Sequence, residues 1–278
     1  MNIIDAIFLG ILQGLTEFLP VSSSGHLVIA QHFMGINEGN LALNVLLHLG
    51  TLVAIVIVYF KSVTSMIIEF FAMMGDLFRE RSLSIYKSKY RKYIMLIVMA
   101  SIPTAIIGLL FDDVFEELFS SIQVVAFTLI LTGILLVLGE KLGKKNQLPI
   151  ERLTLKQGIL VGLFQSLAIT PGISRSGSTI VGGLFNGLKK EEATEFSFLI
   201  SIPAVLGAVV FKGKDILSLD ALGMEGTTLG ASFLAAVIFG VLAIKLLVKL
   251  VRNGKLHYFS YYCWAMSAIL LINVYVLA

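Results

Sequence analysis

One cysteine, Cys263, is all that the 278 residues contain, so no intrachain disulfide, four-cysteine metal site or redox pair can form. Charge is nearly as scarce. Asp, Glu, Lys and Arg make up 14% of the chain, against about 25% in an ordinary soluble domain. With 57% hydrophobic residues and a mean hydropathy of +0.92, a soluble globular domain is excluded and a membrane domain remains. No Pro/Ser-rich or charge-rich linker separates the apolar segments, so residues 1–278 read as a single integral membrane domain. A basic n-region is missing ahead of the first apolar stretch, and the polar run Gln13 to Glu17 interrupts it. That stretch is expected to be kept rather than cleaved as a secretion signal.

What is present is a series of apolar runs. Crossing a hydrocarbon core of about 30 Å takes roughly 20 apolar residues in a helix. Six stretches qualify, at about 41–60, 93–111, 122–140, 193–211, 227–248 and 259–277. Two further segments, about 3–34 and 158–187, are apolar at their ends but broken in the middle, by Pro20 and Gly25 and by Pro171, Gly172 and Gly177. These predict re-entrant helix-loop-helix segments, since irregular backbone at membrane depth survives only against protein or a wet cavity. The expected fold is therefore an all-α polytopic membrane protein with six transmembrane helices and two re-entrant segments. Segment 61–78 places Val63, Met66, Ile67, Phe70, Phe71 and Met74 on one face and predicts an interfacial helix rather than an extension of the first span.

Orientation follows from the basic residues. The bends at 61–92, 141–156, 189–190 and 245–255 hold eighteen of the twenty-one Lys and Arg, which predicts that all four are cytoplasmic. The other bends carry Asp112, Asp113, Glu116, Glu117, Asp215, Asp220 and Glu225 with only Lys212 and Lys214. The two broken segments then enter from opposite faces. They are also alike in sequence: GILQGLTEFLPVSSSGHLVIAQHFMG from Gly10 and GLFQSLAITPGISRSGSTIVGGLFNG from Gly162. In each, a Gln lies twelve residues before the Gly of a central Ser-Gly, Gln13 to Gly25 and Gln165 to Gly177, and each ends in Gly, at Gly35 and Gly187. An inverted-topology repeat is expected, with pseudo-repeats 1–140 and 150–278 facing each other near the midplane.

The two loops hold the candidate chemistry. Gln13 and Glu17 are four apart on one helical face, and a carboxylate at membrane depth is a site hypothesis by default. The plainer alternative for Glu17 is a helix-packing salt bridge to Arg175, a pair that could itself belong to the site. Ser22, Ser23, Ser24 and Gly25 lead into one half-helix, and Ser174, Arg175, Ser176, Gly177, Ser178 and Thr179 into the other. A helix start of this kind is an anion site, and the planar guanidinium of Arg175 suits phosphate oxygens. Helix capping and close packing are the ordinary roles of any one of these hydroxyls. His26, beside the serines, is a candidate general base or acid, and His48 and His32 have weaker claims.

These residues resemble a known family, the bacterial undecaprenyl-pyrophosphate phosphatases, also described as bacitracin-resistance proteins. The resemblance is carried by QGLTEFLPVSSSGH at 13–26, PGISRSGST at 171–179 and LHLGTLVA at 47–54, and it spans nearly the whole chain. It implies a multi-pass enzyme of the bacterial inner membrane. The expected reaction hydrolyses the terminal phosphate of the cell-wall carrier lipid with a divalent cation, Mg2+ or Ca2+, at a site facing the extracytoplasmic side. By motif position it implies that Gln13 and Glu17 stand where the family has its acidic, metal-binding pair, that Ser23 is the nucleophile flanked by Ser22 and Ser24, that His26 is the catalytic histidine and that Arg175 binds phosphate. Gln13 departs from a two-carboxylate site. The expected partners are the bilayer and an isoprenoid pyrophosphate lipid, with no nucleic acid, and with a homodimer left open. The rival reading is a flippase or secondary transporter for an anionic isoprenoid lipid, because inverted repeats with half-helices at the midplane are also transporter architecture.

Overall fold

The computed structural model describes residues 2–34, 41–119, 121–144, 147–212 and 226–277. Twelve α-helices carry the fold among these residues: α1 Ile3–Phe18, α2 Ser23–Phe33, α3 Leu41–Val58, α4 Phe60–Glu80, α5 Lys89–Leu110, α6 Asp112–Phe119, α7 Ile122–Leu142, α8 Leu155–Leu167, α9 Arg175–Phe185, α10 Lys190–Lys212, α11 Gly226–Arg252 and α12 His257–Ile272. Local signals set several starts. Asn2 with Asp5 and Thr154 with Gln157 form capping boxes at α1 and α8, and Ser88 and Ser121 cap α5 and α7.

Four helices, α5, α7, α11 and α12 with its C-terminal extension, are long and apolar enough to cross a membrane, and a fifth span is counted if α3 and α4 are taken as one bent pair. The chain is thus an all-α polytopic membrane protein. Its exterior agrees: Val98, Ile102 and Ile106 on α5, Phe127, Leu131 and Ile134 on α7, and Leu234, Ile238 and Leu242 on α11 all face outward, as they should where the surroundings are lipid. The bend between α3 and α4 is 89° and falls at Tyr59. The expected helix near 61–78 therefore does leave the line of the first span.

The two broken segments appear as helix pairs, α1 with α2 and α8 with α9. Each folds back on itself: Leu9 of α1 and Leu27 of α2 share one apolar cluster, and Gly182 of α9 lies against Phe164 of α8. Small residues let each first half-helix lie close to a long helix of the other half of the chain. Gly10 and Gly14 of α1 abut the backbone of α11 at Ser232 and Ala236, and Gly162 of α8 abuts the Ala100 carbonyl of α5. A Cβ at Gly162 would collide with that carbonyl, and backbone cannot swing aside. Gly162→Val is expected to destabilise the protein by about 1–3 kcal/mol, the usual cost of overpacking, read as a lowered Tm in detergent, whereas Gly207→Ala, with nothing nearby, should leave Tm unchanged.

The four basic bends lie at one end of the molecule. Leu148 pairs with Gly187 and Lys189 through backbone hydrogen bonds of 3.1 Å each. Arg252 reaches Glu191 at 3.7 Å and Lys89 reaches Glu192 at 3.3 Å. Arg91, at the start of α5, is bonded to Glu69 and Asp76 of α4 at 2.7 and 2.6 Å and so ties α4 to the same end. Gly35 and the acidic bend at Asp215, Asp220 and Glu225 lie outside the described residues, as does the side chain of His32.

Candidate active site

Glu17 is the hub. It sits in the last turn of α1, 7% exposed, and its two oxygens collect partners from three helices. Arg175 donates from Nη2 to Oε1. Ser23 donates from Oγ to Oε2 at 2.6 Å, and Gln13 donates from Nε2 to the same oxygen at 2.9 Å. His48 of α3 approaches with Nε2 at 3.8 Å. The salt bridge weighed as the plain alternative for Glu17 is present, and it lies inside the cluster rather than apart from it.

Ser23 and Arg175 are the first helical residues of α2 and α9, and each stands ten residues after its Gln. Two helix starts therefore meet on one carboxylate, with the positive ends of their dipoles at the same place. The turns before them are built alike. Ser22 Oγ lies 3.2 Å from Ser24 Oγ and accepts from Gly25 N at 3.3 Å; Ser174 Oγ lies 3.2 Å from Ser176 Oγ and accepts from Gly177 N at 3.1 Å.

A cavity of about 550 Å³ opens from this cluster, within the size range of small-molecule pockets. Its polar end is Glu17, Ser23, Ser24, His48, Ser174 and Arg175; its walls are apolar, among them Leu27, Ile169, Ile173 and Val205; and α6 contributes Asp112, Phe115, Glu116 and Phe119. The α6 and Val209 walls lie at the far ends of α5 and α10 from their basic starts, so the cavity sits toward the end opposite the basic bends. Arg175 leaves Nη1 without a protein acceptor among the described residues. A guanidinium with a spare donor, three hydroxyls and two helix starts at the foot of an apolar cavity fit a phosphate carried on an apolar tail.

Several residues expected to touch the phosphate do not line the cavity. Ser22, Gly25, Ser176, Gly177 and Thr179 hold the two turns together instead, and Ser178 Oγ is buried with no partner among the described residues. A Cβ on Gly25 would come within 3.1 Å of Gly172 Cα and Val125 Cγ1, and Thr179 is bonded to Arg175 O at 2.8 Å and to Ser197 at 2.6 Å. His26, expected to serve Ser23 as base or acid, turns the other way, with Nδ1 2.8 Å from the Ser22 carbonyl and Nε2 2.6 Å from the Tyr262 hydroxyl. The imidazole that faces the cluster is His48, whose Nδ1 donates to Asn44 O at 2.8 Å and leaves Nε2 toward Glu17.

Among the described residues no three His, Cys, Asp or Glu side chains converge as a metal site. Gln13 spends its amide N–H on Glu17 and leaves Oε1 buried without a partner among the described residues. Two adjacent oxygen ligands of this kind suit Mg2+ or Ca2+ only if phosphate oxygens and water complete the shell.

Residues that no motif marked hold the second loop in place. On α7, Thr128 donates to Pro171 O at 2.6 Å, and Thr132 donates to Gly172 O at 2.8 Å while accepting from Ser174 N at 3.1 Å. Two hydroxyls four apart in an otherwise apolar span were the available signal.

The model of the family described as bacitracin resistance protein BacA matches residues 6–269. The chain is 48% identical over 275 residues to an undecaprenyl-diphosphatase of Alkaliphilus metalliredigens and 43% identical over 275 residues to one of Methanobrevibacter smithii, covering 98% of each chain in both cases. It is 35% identical to undecaprenyl-diphosphatase 4 of Bacillus thuringiensis, over 99% of this chain and 98% of that one. With a family model matched along almost its full length and relatives at this identity end to end, the chain belongs to the BacA, or undecaprenyl-diphosphatase, family.

Proposed function

We propose that this protein is a membrane phosphatase that hydrolyses undecaprenyl pyrophosphate to undecaprenyl phosphate and inorganic phosphate, recycling the cell-wall carrier lipid and so conferring bacitracin resistance. The observation that carries the reading is the meeting of Ser23, Glu17 and Arg175 at the polar foot of an apolar cavity. The pyrophosphate lies at that foot, and the prenyl chain leaves along the apolar walls toward lipid. Arg175 and the starts of α2 and α9 hold the terminal phosphate and offset the charge that gathers on its oxygens, which is most of the catalytic task in phosphoryl transfer.

Ser23 attacks the terminal phosphorus as its proton passes to Glu17, the acceptor of its present hydrogen bond. The bond from that phosphorus to the bridging oxygen breaks, undecaprenyl phosphate departs with the bridging oxygen, and a phosphoserine remains. Water then attacks the phosphoserine, releasing inorganic phosphate and restoring the Ser23 hydroxyl. Glu17 and Gln13 Oε1 are the residues that would hold a divalent cation, Mg2+ or Ca2+, together with the pyrophosphate oxygens, and the ion would supply further charge neutralisation.

The finer architecture belongs to the same proposal. Six spans are formed by α3, α5, α7, α10, α11 and α12, with the α1/α2 and α8/α9 pairs re-entrant from opposite faces of one domain. The like-built turns at Ser22–Gly25 and Ser174–Gly177 support an inverted repeat of 1–140 and 150–278. The gathering of the basic bends at the end away from the cavity supports an extracytoplasmic active site in the bacterial inner membrane.

Purified protein in detergent should release phosphate from a prenyl pyrophosphate and lose that activity in EDTA until Mg2+ or Ca2+ is restored. A flippase or secondary transporter has no two sides to work between in detergent and would release none. Ser23→Ala should fall to background, and acid quenching of turning-over enzyme should trap a phosphate on Ser23. Full activity in Ser23→Ala would eliminate the covalent route.

A further inference from the structure

The side chain that closes the back of the reacting loop is Tyr262, on α12. The loop it closes is under strain. Ser22 has φ +68°, a left-handed conformation that a serine seldom adopts and that persists only where the surroundings enforce it. The conformation matters because Ser23 is the next residue, and the turn at Ser22 aims its hydroxyl at Glu17.

What enforces the turn is His26. The Ser22 carbonyl accepts from His26 N at 3.1 Å and lies 2.8 Å from His26 Nδ1. A carbonyl can only accept, so Nδ1 carries a proton. In the neutral ring Nε2 is then a bare acceptor, and Tyr262 donates its hydroxyl to it at 2.6 Å, with the two rings nearly parallel at 13°. Both nitrogens of His26 are thus occupied, and neither faces Ser23. The neighbouring residue of α12 joins in, since the Cys263 thiol points at the Pro20 carbonyl at 3.7 Å. One turn of α12 therefore braces both ends of the loop 20–26.

We infer that Tyr262 is a positioning residue of the reaction: by donating to Nε2 it fixes the His26 tautomer that holds the Ser22 carbonyl, and through that turn it keeps Ser23 on Glu17. The inference rests on the assignment of Ser23 and Glu17 made under Proposed function. It makes His26 a strut rather than the proton acceptor of Ser23.

The test is steady-state phosphate release from a soluble prenyl pyrophosphate by wild type, Tyr262→Phe, His26→Ala, His26→Asn and the His26→Asn/Tyr262→Phe double variant, with Tm measured on each. Tyr262→Phe keeps the ring and removes one hydrogen bond, so kcat should fall about tenfold while KM and Tm stay at the wild-type values. Asn places an N–H where Nδ1 stood but has no second ring nitrogen and cannot act as a base. His26→Asn should therefore keep most of the activity that His26→Ala loses, and in its background Tyr262→Phe should cost nothing further.

Three results would overturn the inference: wild-type kcat in Tyr262→Phe, equal loss in His26→Asn and His26→Ala, or an undiminished tenfold effect of Tyr262→Phe when Asn stands at 26. If His26→Asn does not fold, the kcat-only effect of Tyr262→Phe at unchanged Tm still decides. Absence of phosphate release by wild type would instead count against the phosphatase reading itself.

Discussion

Arg175→Ala should lower kcat/KM for prenyl pyrophosphate by about 10³ to 10⁵, the range by which a catalytic arginine accelerates phosphoryl transfer. Two functions are lost at once. Nη1, without a protein acceptor, is the donor available to the terminal phosphate, and Nη2 is the counter-charge of Glu17. Without it Glu17 keeps a buried negative charge beside the place where a polyanion must bind, so the ground state suffers as well as the transition state and KM should rise. Lys at this position would restore the charge but not the fork that serves Glu17 and phosphate together, and Arg175→Lys is expected to recover less than a tenth of the loss. The measurement is phosphate release in detergent beside a Tm and an elution profile, since a protein that has merely unfolded loses all three. Near-normal turnover of a folded Arg175→Ala would sink the assignment.

The backbone breaks that make the site were legible because they are punctuated by residues with few conformations. Pro20 follows the end of α1 at Phe18, and Pro171 and Gly172 follow the end of α8 at Leu167, whereas Gly25 lies within α2. The approach of Arg175 to Glu17, 158 residues away in sequence, was accessible by a different route: a buried carboxylate needs a partner, and a buried arginine was on offer. The direction in which the histidines point was not legible, for a reason that is equally physical. Adjacency in sequence suggested His26 as the base for Ser23, but a histidine in the first turn of a helix can reach back to the carbonyl four residues before it, and His26 does. His48 reaches Glu17 only because α3 packs across the hairpin, and no local pattern announces that. Nor did the motifs mark Tyr262, Thr128 or Thr132, which act on the loops from helices distant in sequence. Spans were counted more easily than assigned. Among the described residues four or five helices pass on length and apolarity alone.

The paired turns share their side-chain hydrogen bonds but not their backbone, since Ser22 has φ +68° and Ser174 φ −73°, and they are unlike in use. Ser23 and Arg175 stand at matching positions, each the first residue of a half-helix, and each points at the same carboxylate. No acidic residue stands at the matching position of the second segment, which is Ile169. A symmetric pair of anion-binding turns would hold a phosphate without reacting with it. One segment supplies a hydroxyl and its carboxylate acceptor, the other a guanidinium, and on the proposed mechanism that asymmetry is what allows the group to be transferred.

Glu17→Gln tests that last step, because it removes the acceptor while keeping the shape. The amide fills the same space and can still bond to Ser23, yet it cannot take the Ser23 proton, so kcat should fall about 10²- to 10⁴-fold, the usual contribution of a positioned general base. KM should hold or fall, since Arg175 is released from its present partner and both its terminal nitrogens become available to the pyrophosphate. A helix-packing salt bridge predicts otherwise. Were Glu17 only the structural partner of Arg175, its neutralisation would strand a buried positive charge, cost stability and lower Tm, but the pyrophosphate itself would compensate that charge on binding and kcat would survive. The fate of kcat therefore separates the two roles of one contact: Tm falls on either reading because Arg175 loses its counter-charge, a large fall in kcat places Glu17 in the chemistry, as acceptor of the proton or holder of the cation, and a loss confined to Tm returns it to the scaffold.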